Sequence, residues 1–131
     1  MATLSGTIAL VTGAGKGIGR AVAECFVREG ATVVGAARTK TDLDCVAKGL
    51  AGSGGEFVPM PGDVTDEAFV DRLFAGIRDR FGRLDILVNN AGIAPFGPVE
   101  TLAVDAVRRG LELNIVAAFN CMQKAVRLMK A

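Results

Sequence analysis

Four short apolar runs, each followed by a stretch of helical periodicity, constrain this chain more than any other feature of its sequence. The runs typical of buried strands cover residues 7–12, 32–37, 56–60 and 84–90. The stretches with apolar residues at helical spacing cover residues 17–29, 41–50, 66–81 and 102–130. Strands that alternate with helices are joined by right-handed crossovers, so they pair in parallel and the helices cover both faces. The pattern therefore predicts an α/β fold built on one parallel sheet.

The composition restricts the possible classes of function. The chain has 131 residues with 15 basic and 14 acidic side chains, which predicts one domain without a basic face for nucleic acid. No apolar run approaches membrane-spanning length, and the amino terminus lacks the pattern of a secretory signal. The three cysteines lie far apart and histidine is absent, which argues against a metal site. We therefore expect a soluble cytoplasmic domain with neither a nucleic-acid nor a membrane partner.

The segment TGAGKGIGR, residues 12–20, places four glycines directly after the first apolar run. Glycines in a strand-to-helix turn let the backbone approach a phosphate, and the N–H groups at the helix start attract an anion. The spacing of Gly13, Gly17 and Gly19 differs from the Gly-x-Gly-x-x-Gly dinucleotide fingerprint. An ATP-type loop is excluded, because Lys16 is followed by glycine and not by serine or threonine. By itself the loop indicates a phosphate site, and a tight turn packed for its own sake is the alternative.

Three further motifs follow the glycine loop: GDV at 62–64, NNAG at 89–92, and Asn114 within the last helical stretch. In this order and approximate spacing, the four motifs resemble the amino-terminal half of the short-chain dehydrogenase/reductase family, and the resemblance covers essentially the whole chain. It implies a Rossmann-type doubly wound parallel sheet that is truncated after the helix following the fourth strand. Residues 1–131 would form a single NADP(H)-binding domain, incomplete relative to the family, with the strand order 3-2-1-4.

The resemblance also implies a set of cofactor contacts at the carboxyl ends of the strands, where open α/β sheets bind their ligands. Lys16 and Ile18 are expected near the pyrophosphate or the adenosine ribose, and Asp63 with Val64 beside the adenine ring. The backbone after the fourth strand is expected to lie against the cofactor ribose. The candidate cofactor-binding residues are Thr12, Gly13, Gly15, Lys16, Gly17, Ile18, Gly19, Ala37, Arg38, Asp63, Val64, Asn90, Ala91 and Gly92.

Asn114 and Asp63 have a structural interpretation beside the functional one, and Asn89 has a structural one. Asn114 matches the helix asparagine that, in the family, has a catalytic role by holding a water in the proton relay. It is alternatively a packed polar residue that bonds its own helix backbone. Asp63 is alternatively a cap for the helix that begins near Asp66. Asn89 is expected to stabilise the sheet or to satisfy loop backbone.

The end of the second strand indicates which nicotinamide cofactor is bound. NAD(H) binding usually requires an acidic residue there, which hydrogen-bonds the ribose 2′-hydroxyl. The sequence instead has Ala37 followed by Arg38, and no carboxylate occurs until Asp42, past the end of the strand. An arginine fork suits a 2′-phosphate, and Lys16 on the neighbouring loop would add a second positive charge. We therefore predict NADP(H) in preference to NAD(H), with a solvated surface arginine as the alternative interpretation of Arg38.

The resemblance implies hydride transfer between nicotinamide and a carbonyl or alcohol carbon, with a tyrosine as acid/base, a lysine four residues later, and a serine. The chain contains no tyrosine and no histidine, so it is expected to be inactive alone. Three interpretations stay open: a truncated reductase, a non-enzymatic NADP(H)-binding or oligomerisation module, and one half of a split reductase. A carbonyl or alcohol substrate is expected only if the missing half is supplied.

The last helical stretch and the fourth strand predict self-association. Residues 102–130 are apolar on more than one side, which indicates burial on more than one side. The fourth strand would form an open sheet edge beside it, and open edges favour association. We therefore expect a homo-oligomer that forms through the last helix, the fourth-strand edge, or both. The alternative is a monomer whose last helix folds back over the open edge.

Overall fold

The parallel sheet of the computed structural model, which describes residues 2–131, has four strands in the order β3-β2-β1-β4. The strands are β1 (Ile8–Thr12), β2 (Thr32–Ala37), β3 (Glu56–Pro61) and β4 (Ile86–Val88). β1 pairs in parallel with both β2 and β4, and all five of its residues are buried. The predicted α/β class and the predicted strand order are both confirmed.

Helices cover both faces of the sheet. They are α1 (Gly17–Arg28), α2 (Lys40–Gly49), α3 (Glu67–Phe81), α4 (Val104–Leu111) and α5 (Ala118–Met129), with a π-helical turn over Glu112–Ala117 between the last two. Apolar side chains of α1 and α2, among them Val27 and Leu43, pack on one face of the sheet. Side chains of α3 and α5, among them Leu73 and Cys121, pack on the other. The expected doubly covered sheet is therefore present.

The fourth strand, predicted over residues 84–90, is shorter and covers only Ile86–Val88. At its start the carboxylate of Asp85 accepts the backbone N–H of Ile8 at 2.8 Å, so a side chain replaces one bond of the β1–β4 ladder. After the strand, two backbone N–H groups turn towards the hydroxyl of Thr12 instead of continuing the ladder. The periodicity of the sequence does not reveal that side-chain bonds replace ladder bonds at either end of β4, because both replacements depend on contacts across the sheet.

The last helical stretch, predicted as one helix over residues 102–130, begins at Val104 and is interrupted by the π-helical turn. One face of it is buried, through the small residues Gly110, Ala117, Cys121 and Ala125. Within the described residues, the last helical region is not buried on more than one side. Among the same residues, β4 pairs only with β1. The exposed large apolar side chains of this region are Val104, Val107, Leu111, Ile115, Val116, Phe119, Met122, Val126 and Met129.

Asp85 should make the stability of the β1–β4 pair depend on pH. Its pKa is lowered, first by the side-chain hydrogen bond from Arg83 and also by the backbone N–H of Ile8. A carboxyl group whose pKa is lower in the folded state stabilises the fold above its unfolded pKa of about 4. That contribution is lost as the pH falls through the folded pKa.

We expect Asp85→Ala to lower the free energy of unfolding by about 0.5–1.5 kcal/mol at neutral pH, the range for a typical hydrogen bond, because solvent at this partly exposed carboxylate weakens the gain from its charge. The difference from the parent should shrink as the pH falls below about 4 and through the lowered pKa of Asp85, where the parent carboxyl group becomes protonated. Urea denaturation at a series of pH values measures both effects. Asp79→Ala, at an exposed position on α3, is the control. A difference that is independent of pH would contradict the prediction.

Candidate functional site

A cavity of about 440 Å³ opens at the carboxyl edge of the sheet. It lies where the glycine loop, the ends of β2 and β3, and the loop after β4 meet the last helical region. Nine of the candidate cofactor-binding residues line it, so the fold brings most of the predicted site together. The lining residues are Gly13, Gly15, Lys16, Ala36, Ala37, Arg38, Thr39, Asp42, Gly62, Asp63, Val64, Thr65, Ala91, Gly92, Ile93, Arg109, Glu112 and Leu113.

The glycine loop requires its glycines for two different reasons. Gly13 and Gly17 have positive φ angles of 66° and 57°, which favour glycine. A side chain at Gly19 would collide with the backbone carbonyl oxygen of Gly13, so this glycine lets α1 approach the loop closely. At Gly17, in contrast, no atom of the described residues outside its chain neighbours and its own helix backbone lies within 4 Å of the position that a Cβ atom would take, so the loop is open at the start of α1. The glycines therefore combine close packing on one side with an accessible backbone on the other.

The amino terminus of α1 has free hydrogen-bonding capacity. Its N-cap residue, Lys16, makes no side-chain capping hydrogen bond. The first N–H groups of an α-helix have no partner within the helix, and together they carry positive potential. α3 differs, because Asp66 caps it by accepting the N–H of Ala68 at 3.0 Å. The uncapped start of α1 is therefore suited to the phosphate oxygens of a ligand.

Thr12 ties the glycine loop to the loop after β4. Its side chain is 1% exposed, and its hydroxyl accepts the N–H groups of Asn90 and Ala91 at 3.0 Å each. The same hydroxyl donates to the carbonyl of Val88 at 3.4 Å. The Asn90 amide adds a hydrogen bond of 3.2 Å to the carbonyl of Gly13. The Thr12 hydroxyl and the Asn90 amide nitrogen are thus used inside the protein, and the predicted contacts of both residues to a cofactor stay predictions.

Asp63 and Val64 both line the cavity beyond the end of β3. The Oδ1 atom of Asp63 accepts the backbone N–H and the hydroxyl of Thr65, at 2.9 and 2.8 Å. Since α3 is capped by Asp66, the alternative in which Asp63 caps that helix is wrong. The turn through Thr65 holds the Asp63 carboxylate in place with its second oxygen outside these bonds.

Arg38 stands at the rim of the cavity, immediately after β2, and its side chain is exposed. Lys16, on the glycine loop, also lines the cavity and lies 3.6 Å from Asp42, measured from Nζ to Oδ2. Ile18, the other predicted loop contact, is 77% exposed and does not line the cavity. The structure therefore places two cations and the Asp42 carboxylate on one rim.

Asn114 lies in the π-helical turn, and both ends of its amide bond the loop after β4. Its Oδ1 accepts the N–H of Ile93 at 2.8 Å, and its Nδ2 donates to the carbonyl of Ile93 at 2.6 Å. The alternative in which Asn114 bonds its own helix backbone is therefore wrong. Asn89 acts in a similar way, since its Nδ2 donates to the carbonyl of Ala118 at 3.1 Å. Both asparagines attach the loop after β4 to the last helical region.

Several lining residues were not predicted from the sequence, chiefly Asp42, Thr65, Arg109, Glu112 and Leu113. Asp42 stands past the end of the second strand along the chain, although the first turn of α2 returns it to the glycine loop. The other four carry no motif that distinguishes them from surface residues. Among residues 2–131 no cluster of side chains suited to a metal ion occurs, and no helix is long and apolar enough to cross a membrane.

The fold and the site together define a Rossmann-type α/β domain. More specifically, the chain belongs to the short chain dehydrogenase family, whose sequence model matches residues 7–131. Sorbitol dehydrogenase of Cereibacter sphaeroides is 38% identical over 128 residues, which cover 98% of this chain and 49% of that protein. The chain therefore spans about half the length of the curated relatives that it matches.

Solved structures agree with this assignment. A short-chain type dehydrogenase/reductase from Mycobacterium marinum superimposes with a TM-score of 0.90 at 36% identity, covering 95% of this chain and 51% of that one. A metagenomic short-chain oxidoreductase in complex with NADP superimposes with a TM-score of 0.90 at 32% identity, covering 95% and 57%. Over this length the family and its fold are thus the same as in proteins about twice as long.

The Thr12 hydroxyl should stabilise the site measurably. We expect Thr12→Val to lower the free energy of unfolding by about 1–2 kcal/mol at nearly constant side-chain shape, because the partly buried N–H of Ala91 would lose its acceptor and that of Asn90 would keep only the carbonyl of Val88. Thr12→Ser keeps the hydroxyl and is the matched control, with a clearly smaller loss. Urea denaturation followed by circular dichroism measures both variants. Equal losses for valine and serine would show that the methyl group, and not the hydroxyl, matters.

Proposed function

We propose that this chain is the NADP(H)-binding half of an oxidoreductase of its family, which transfers hydride between nicotinamide and a carbonyl or alcohol carbon. The observation that carries the proposal is the cavity rim, which is lined by both Lys16, the N-cap residue of the uncapped helix α1, and the exposed Arg38. The related metagenomic oxidoreductase, whose structure contains NADP, supports the choice of cofactor. The end of β2 supplies an arginine and no carboxylate, so NAD(H) is the less favoured cofactor.

The residues present fit such a dinucleotide. The backbone from Gly15 to Gly19 would hold the pyrophosphate at the uncapped helix start. Arg38 and Lys16 would hold the 2′-phosphate, and the second oxygen of Asp63 would accept from the exocyclic amine of adenine. The cavity volume of about 440 Å³ lies within the range of small-molecule sites.

Hydride transfer to a substrate requires a catalytic acid/base group that this chain does not contain. The bound nicotinamide would donate or accept the hydride, while a protein acid/base must move a proton. The chain has no tyrosine, so the family's phenol would have to come from another segment. Ile93 takes one hydrogen bond at each polar end of the Asn114 amide, and each end has the capacity for a second bond, which a relay water would use. Alone, the chain would bind the cofactor and leave it unreacted.

Arg38 should decide between the two cofactors. We expect Arg38→Asp to weaken binding of NADP⁺ by about 1.5–3 kcal/mol, the range for hydrogen bonds to charged groups, and to improve NAD⁺ relative to it. Isothermal titration calorimetry of both nucleotides measures the change. Arg28→Asp makes the same charge change at the far end of α1 and is the control. Equal losses for NADP⁺ and NAD⁺ would show that Arg38 does not contact the 2′-phosphate.

The chain is also proposed to self-associate through the last helical region, the β4 edge, or both. Large apolar side chains remain exposed there, including Phe119 at 56% and Ile115 at 61%. β4 offers its second side to a further strand. A two-fold dimer would cover these groups, because the same surface on two copies is self-complementary.

Light scattering at low micromolar concentration should give the mass of a dimer for the parent chain. Phe119→Lys should shift the mass towards the monomer, because it places a charge in the apolar contact. Ile18→Lys makes the same type of change at an exposed apolar residue of α1 and should leave the mass unchanged. A monomeric parent chain would contradict this proposal.

A further inference from the structure

Asp42 occupies an unexpected position on the cavity rim. It lies in the first turn of α2, and its carboxylate is 29% exposed, whereas Lys16, its ion-pair partner, is 83% exposed. The side chain lines the cavity together with Arg38 and Thr39. An acidic group therefore shares the rim with the two cations that would bind a 2′-phosphate.

The contact between Asp42 and the glycine loop depends on Gly15. A Cβ atom at Gly15 would lie 3.0 Å from the Cβ of Asp42, a distance at which one of the two residues would have to move. The side chain thus packs directly against the loop. Asp44, two residues further along α2, has a different environment, because it pairs with Lys40 at 2.7 Å on the exposed side of the helix. A favourable interaction with the helix dipole explains an acidic residue in the first turn, but does not explain its contact with the loop.

The charge of Asp42 has opposite consequences for the two nicotinamide cofactors. A phosphate monoester carries about −1.5 to −2 charges at neutral pH, whereas the 2′-hydroxyl of NAD(H) is neutral. Asp42 repels the phosphate directly and also attracts Lys16, one of the two cations available to bind it. A carboxylate can accept a hydrogen bond from a hydroxyl, so it does not disfavour the neutral ribose.

We propose that Asp42 is a specificity-determining residue that reduces the preference of this site for NADP(H) over NAD(H). The inference rests on the proposed function, because it assumes that the cavity binds these nucleotides. Arg38 favours the 2′-phosphate and Asp42 opposes it, so the preference is the difference between two opposed charges on one rim. The ion pair with Lys16 couples the carboxylate to the glycine loop.

The test compares Asp42→Asn with Asp44→Asn, which removes the same charge from the same helix outside the cavity. Calorimetric titration with NADP⁺, NAD⁺, adenosine 2′,5′-bisphosphate and AMP measures each affinity in the full chain. We expect Asp42→Asn to raise the affinity ratio of NADP⁺ to NAD⁺ about three- to tenfold at low salt, with the same trend for the two adenosine nucleotides. The gain should decrease at high salt, because added ions screen partly exposed charges. Asp44→Asn should change the ratio less than about twofold.

The outcomes separate this inference from the proposed function. If the parent chain binds none of the four nucleotides, the proposed function fails and the inference fails with it. If the parent chain binds NADP⁺ but Asp42→Asn leaves the ratio unchanged, only the inference is overturned. An equal rise in both asparagine variants overturns it as well, since net charge alone would then explain the effect. Circular dichroism shows whether each variant is folded, and Asp42→Ser provides a second neutral side chain at the same position.

Discussion

The hydroxyl of Thr12 joins the parts of the molecule on which the site depends. It sits at the end of the central strand, is buried, and bonds three backbone groups of the segment that includes the end of β4 and the loop after it. A buried hydroxyl with all its hydrogen bonds satisfied orders the chain around it, because any displacement leaves polar groups without partners. The glycine loop begins one residue later, so its position relative to the β4 loop follows from this contact. The amide of Asn90 completes the connection by bonding Gly13.

The opposite wall of the site is held by a second group of side-chain-to-backbone bonds. Asn114 bonds both backbone groups of Ile93, and Asn89 bonds the carbonyl of Ala118. These contacts attach a loop with few backbone hydrogen bonds of its own to the last helical region. The cavity therefore lies between two loops that are each held by side chains of a neighbouring element. Such an arrangement positions backbone atoms accurately for ligand binding, and the proposed cofactor would lie between these loops.

Electrostatics on the rim distinguishes the site from a simple phosphate cradle. The uncapped helix start, Arg38 and Lys16 contribute positive potential, while Asp42 and Asp63 contribute negative charge at defined places. Asp63 is held by its turn with Thr65, whereas Asp42 is held by its contact with the glycine loop. Selectivity between similar nucleotides arises from differences of this kind, since attraction to one ligand and repulsion of another act on the same rim.

Much of the fold was predictable because parallel strands and amphipathic helices leave strong periodic patterns. The strand order and the nine candidate residues that line the cavity followed from the resemblance to the family, which rests on motifs that stand at strand ends. The length of β4 was not predictable, because at both of its ends a side chain bonds a backbone group that is distant in sequence. The π-helical turn was not predictable from the spacing of the apolar residues either. Asp42 was not predicted because the sequence shows only that it lies beyond the end of β2. The first turn of α2 brings it back beside the glycine loop, and that contact exists only in the folded chain. Arg109 and Glu112 were missed because their helix face becomes part of the site only after packing.

The sequence by itself determined the class of fold, the family, and the chemical character of the site. The periodicity, the glycine spacing and a few polar residues after strands indicate all three. Only the tertiary structure decided which of those residues line the cavity and which hold the protein together. Thr12, Asn90 and Asn114 direct their side chains to backbone groups far away in sequence, whereas Asp42 joins the cavity rim. The physical reason is that hydrogen bonds and charges act over a few ångströms in space, and the sequence records only separation along the chain.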